Sequence, residues 1–68
     1  MDNFASIFMK LHRSLDGMRF IMEYNDYCTI KVFRKDEQLF EVHTSSVKTC
    51  TDLAAEKLLL YKKEVLDD

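Results

Sequence analysis

Two cysteines and two histidines, Cys28, Cys50, His12 and His43, are the side chains in this chain best suited to site chemistry. They are soft donors of the kind that hold zinc, which takes four such ligands in a tetrahedron, usually delivered as closely spaced pairs. No two of the four have that spacing, and they fall in segments that read as four different elements. The expectation is therefore structural: Cys28 and Cys50 as small buried residues, His12 on the flank of a first helix, His43 on an exposed sheet face. No metal and no cofactor are expected. Without a C-x-x-C spacing the cysteines read as reduced thiols rather than a disulfide. Catalysis would need a nucleophile, a base and an orienting group brought together. The sequence has no phosphate-cradling glycine loop, no H-E-x-x-H and no G-x-S-x-G, so an enzyme is not expected.

The elements that would carry any site must come from one core. At 68 residues the chain reads as a single domain, and at 47% hydrophobic residues, with five phenylalanines and three tyrosines, it has the apolar material to fold. Ten basic and twelve acidic residues leave a net charge of −2, with both signs spread along the chain. That is not the clustered Lys and Arg from which nucleic-acid binders draw their affinity. No stretch approaches the ~20 apolar residues that cross a bilayer. Asp2 and Asn3 interrupt any leader, so no membrane association and a cytoplasmic location are expected.

Periodicity places the elements. Phe4, Ile7, Phe8, Leu11 and Leu15 form the stripe of a helix from Asn3 to Asp16, capped by Asp2 or Asn3 and ended by Gly17 as its left-handed C′ residue. Beyond Gly17 the period falls to two, and three strands follow, Met18 to Tyr24, Tyr27 to Arg34 and Gln38 to Thr44. Their short connections allow only antiparallel hairpins. A second helix opens at Ser45-Ser46 or Thr49-x-x-Asp52 and runs on Val47, Cys50, Ala54, Leu58, Tyr61 and Val65, with Leu53 and Leu60 beside the stripe. Lys62 and Lys63 suit its C-terminal dipole, which Asp67 and Asp68 oppose. The fold class is α+β, a three-stranded antiparallel meander with two helices packed on one face, in the order α-β-β-β-α.

Hairpin register assigns the two sheet faces, because a slip of one residue reverses every side chain. A three-residue loop, Lys35 to Glu37, pairs Val32 with Phe40 and Ile30 with Val42 inside, and Lys31 with Glu41 and Thr29 with His43 outside. A two-residue Asn25-Asp26 turn would set Glu23 beside Cys28. An odd-length loop or a bulge instead puts Phe20 and Met22 with Cys28 and Ile30, and is preferred. The outer face then mixes charged residues with Ile21, Tyr27, Phe33 and Leu39, more apolar than an idle solvated sheet requires. It reads as a contact face for a protein partner or for a second copy of the chain. It reads equally as a solvated surface, since scattered exposed apolar residues are ordinary. Basic residues fall at Lys10 and Arg13 on the first helix and at Lys48 and Lys57 on the second.

The order of elements resembles the double-stranded RNA-binding domain. Cys28-Thr29-Ile30-Lys31-Val32 looks like that family's second strand and Leu39-Phe40-Glu41 like its third. The run from Ser46 to Leu58, with Ala54-Ala55, is similar to its second helix, which typically opens Ser-Lys-Lys-x-Ala-Lys. The resemblance implies phosphate contacts from lysines at the start of that helix, with the first helix and first hairpin loop reaching the minor grooves. Of those lysines this sequence keeps only Lys48; Val47 and Thr51 occupy the neighbouring positions, and the first loop lacks the family's Gly-Pro and His. The expected function is therefore a non-enzymatic protein-interaction module, a small regulator or inhibitor of the kind viruses and mobile elements encode, occluding a partner's surface. The alternative is weak binding of double-stranded nucleic acid through Lys10, Arg13, Lys48 and Lys57.

Overall fold

The first helix forms where a polar cap meets an apolar stripe. In the computed structural model, which describes residues 3–66, α1 spans Phe4–Ser14. Asn3 caps it, its Oδ1 accepting from the Ser6 N–H at 2.8 Å. The other expected cap, Asp2, lies outside the described residues, as do Asp67 and Asp68. Phe4, Ile7, Phe8 and Leu11 are buried, and Leu15 packs partly buried against the same core.

The end of α1 differs from expectation. Leu15 is the cap, extended at φ −126°, so Gly17 is not the C′ residue of the helix. Gly17 still needs its glycine, at φ +81°, because the chain turns there against the second hairpin. Its carbonyl accepts from the Lys35 N–H at 2.8 Å. A Cβ there would lie 2.7 Å from Lys35 Cγ and 3.0 Å from the Lys35 nitrogen.

Three antiparallel strands follow, β1 Met18–Tyr24, β2 Cys28–Arg34 and β3 Glu37–Thr44, in sheet order β1-β2-β3. The first hairpin has the odd loop its apolar pattern demands, pairing Phe20 with Val32, Met22 with Ile30 and Tyr24 with Cys28. The loop is Asn25-Asp26-Tyr27, so Tyr27 belongs to it and not to β2.

In the second hairpin the expected pairs Val32–Phe40, Ile30–Val42, Lys31–Glu41 and Thr29–His43 are present, but the turn is different. Arg34 pairs with Glu37 and Phe33 with Gln38, which leaves a two-residue turn, Lys35-Asp36, and an irregularity between Val32 and Phe33. The odd residue is Leu39, carried as a β-bulge rather than in the loop. Lys35 takes a positive φ of 58° at the turn.

The second helix, α2, spans Val47–Leu66. Ser46 caps it: its Oγ accepts from the Thr49 N–H at 3.4 Å, and its carbonyl accepts the first helical bond from Cys50 at 2.9 Å. Thr49 and Asp52 sit inside the helix, where Asp52 pairs with Lys48. Cys50, Ala54 and Leu58 are buried against the sheet, whereas the two ends of the expected stripe, Val47 and Val65, are exposed.

Both helices cover one sheet face, and central β2 supplies its fully buried residues, Cys28, Ile30 and Val32. Coverage is uneven. α2 lies on β2 and β3, while α1 packs chiefly on α2 and meets β1 mainly through Phe4 and Phe8, whose rings sit 5.2 and 4.8 Å from Phe20. Phe20 and Met22 thus share the core-side face as expected, yet stay 41% and 44% exposed; on β1 only Met18 is buried.

Candidate functional site

The face left bare by both helices is the outer one, and β-pleating decides what it presents. Alternate residues of each strand point there: Arg19, Ile21 and Glu23 from β1, Thr29, Lys31 and Phe33 from β2, Gln38, Glu41 and His43 from β3. Near the second hairpin, the Arg19 guanidinium lies over the Phe33 ring, 4.2 Å from its centroid. That contact holds the cation by the ring's negative face and leaves Phe33 half-buried under it. Ile21 pairs with Lys31 and is diagonal to Phe33, so its exposed side chain continues the patch.

The opposite end of the face is built from the first hairpin. Thr29 Oγ1 and His43 Nδ1, cross-strand partners, are 2.8 Å apart, and the Tyr27 ring sits 5.1 Å from the His43 ring. Leaving the strand for the loop has therefore not removed Tyr27 from this side. It is 54% exposed and caps the hydrogen-bonded pair.

Of the four apolar residues expected on the outer face, Ile21, Phe33 and Tyr27 are brought there and Leu39 is not. The bulge turns Leu39 to the helix side, where it is partly buried against the core and lines a groove with Phe40, Lys57, Leu60 and Tyr61. Arg19 and His43 organise the aromatic residues. Charge patterning alone reads both as solvated side chains, and only cross-strand register links them to Phe33 and Tyr27.

The four basic residues expected to contact nucleic acid, Lys10, Arg13, Lys48 and Lys57, lie on the helices, away from the outer face. Lys10 and Arg13 are exposed on α1. Lys48 Nζ is 3.0 Å from Asp52 Oδ2 one turn along α2, so its charge is locally balanced. Lys57 lines the groove between β3 and α2, which Glu37 and Glu64 also line.

The soft ligands are dispersed. Among the described residues no group of three or more His, Cys, Asp or Glu is placed to hold a metal ion. Cys28 and Cys50 are free thiols, both buried, and Cys50 Sγ donates to the Cys28 carbonyl at 3.4 Å and the Val42 carbonyl at 3.7 Å. Burial pushes the Cys28 thiol above its ordinary value, and the neighbouring Cys50 adds to the rise. That is the state of a structural cysteine, not of a nucleophile. Among the described residues no helix is long and apolar enough to cross a membrane.

No protein-family model matches the chain, and neither does any curated protein or solved structure.

Proposed function

We propose that this protein is a non-enzymatic interaction module that engages a protein partner through the outer face of its sheet. One observation carries the reading: the sheet face opposite the helices holds two aromatic centres, Arg19 on Phe33 and Tyr27 on His43, with Ile21 exposed beside the first. Aromatic residues and arginine are the types enriched at protein interfaces. Leu39, turned to the helix side by the bulge, is no part of the proposed surface. The biological form we favour is a small cytoplasmic regulator or inhibitor, of the kind viruses and mobile elements encode, that occludes the surface it covers.

The element order and the Ser46 to Leu58 helix support a relationship to the double-stranded RNA-binding domain, in a form whose phosphate-gripping lysines are largely replaced. Lys48, the one retained, has an acidic partner in Asp52. Duplex binding through Lys10, Arg13, Lys48 and Lys57 is accordingly the secondary reading.

Affinity purification of the tagged full chain with mass spectrometry tests both. A co-purifying protein lost on Tyr27→Glu with Phe33→Glu, at unchanged circular dichroism, supports the first. A protein retained by that double variant removes the outer face from consideration. A duplex gel shift at low salt whose salt dependence flattens on Lys48→Ala transfers support to the second reading.

A further inference from the structure

The sheet has two edges, and they are built differently. The β3 edge carries the bulge at Leu39 and the acidic residues Glu37 and Glu41, devices that discourage pairing with another chain. The β1 edge has no bulge, and its two charged residues, Arg19 and Glu23, are of opposite sign. Met18–Tyr24 is regular, contains no proline or lysine, and leaves Phe20, Ile21 and Met22 more than 40% exposed and Tyr24 63% exposed.

Backbone hydrogen bonds show which groups this edge offers. Lys35 N–H donates to the Gly17 carbonyl at 2.8 Å, and Asn25 N–H to the Tyr27 carbonyl at 3.1 Å. Both bonds join odd-numbered residues that lie opposite each other in the register pairing Met18 with Arg34 and Tyr24 with Cys28. Bonded and non-bonded pairs alternate along an antiparallel ladder. Arg19, Ile21 and Glu23 therefore bond to β2, while Phe20, Met22 and Tyr24 turn their N–H and C=O groups outward.

The order of side chains on β1 is complementary to itself. An antiparallel copy whose two-fold axis passes through Ile21 sets outward-facing residues opposite one another, Phe20 against the partner's Met22 and Met22 against the partner's Phe20. On the other face it sets Arg19 against the partner's Glu23, and Glu23 against the partner's Arg19. Moving the axis to Phe20 would face Arg19 with Ile21, and moving it to Met22 would face Glu23 with Ile21. Only the axis at Ile21 pairs both charges with their opposites while matching the backbone groups.

We propose that β1 pairs with β1 of a second copy across a two-fold axis at Ile21, joining two three-stranded sheets into one of six strands. Main-chain bonds from Phe20 and Met22 supply the association, and the two Arg19–Glu23 contacts fix its register. Sulfur–aromatic contact between Phe20 and Met22 fills the core-side surface that α1 leaves open. This interface runs along the β1 edge and takes Arg19 and Glu23 from the outer face, but it does not rest on what that face binds.

Light scattering coupled to size exclusion, over a dilution series of the full chain, tests it. A mass of twice the 8.1 kDa of one chain is expected, falling toward one chain on dilution. Arg19→Glu alone and Glu23→Arg alone each place like charges opposite one another twice and raise the dissociation constant about tenfold. The two reversals combined restore native affinity, which also shows that the single variants fail by charge and not by misfolding. Tyr27→Glu, whose native ring lies against His43 of β3, leaves the dimer intact. A chain monomeric at every concentration overturns the proposal, as does a dimer indifferent to the single reversals, a double reversal no better than either single one, or a dimer dissolved by Tyr27→Glu.

Discussion

Cys28 and Cys50 show how a residue's surroundings settle its chemistry. Both thiols are buried, and Cys50 Sγ spends its proton on the carbonyls of Cys28 and Val42. A disulfide reagent should therefore react slowly with the native protein at neutral pH and rapidly once denaturant is added; fast native labelling would contradict this burial. The raised Cys28 pKa also has a sign. The unfolded thiol ionises near 9.0 whereas the folded one holds its proton longer, so the unfolded state binds fewer protons above that value. The stabilisation is complete below about pH 9 and is lost as pH rises beyond it. Cys28→Val should flatten that loss in urea melts taken across the range. Gly17 is the other position where one residue decides. Gly17→Val meets a φ of +81° and the Lys35 backbone together, and should cost about 2 kcal/mol or more by chemical denaturation.

At the scale of elements, each helix rests on a cap that spacing alone indicates. Asn3→Ala and Ser46→Ala should each lower stability by about 1 kcal/mol, read as a shift in urea midpoint at unchanged slope. The caps and stripes were legible because they are local: Asn3 before Phe4, Ser46 before Val47, apolar residues every third or fourth place. The ends were less so. Gly17 suggests a helix stop, but the turn was built for contact with Lys35, a residue far along the chain. The second hairpin teaches the same lesson. Pairing Val32 with Phe40 requires one odd residue between the strands, and a loop residue or a bulge meets that requirement equally. Alternation of side chains cannot distinguish them, which is why Leu39 is expected on the outer face and is found on the helix side.

At the scale of the whole molecule, a domain of this size has about 3–10 kcal/mol of stability to lose. Leu58, fully buried beneath α2, is a large share of that: Leu58→Ala should cost about 2–4 kcal/mol and bring the chain close to unfolding. Leu60, 63% exposed two positions on, should tolerate the same change within about 0.5 kcal/mol, a contrast that thermal melts resolve directly. By itself the sequence determined the element order, the antiparallel meander, the residues paired across the core and the side of the sheet left uncovered, because periodicity and short connections are local and leave few arrangements. Only the tertiary structure decided that Tyr27 and His43 meet, that Arg19 settles on Phe33, and that α1 leans on α2 and leaves Phe20 and Met22 half bare. Those outcomes depend on how rigid elements divide a limited covering surface, a competition among distant parts of the chain that no single segment records.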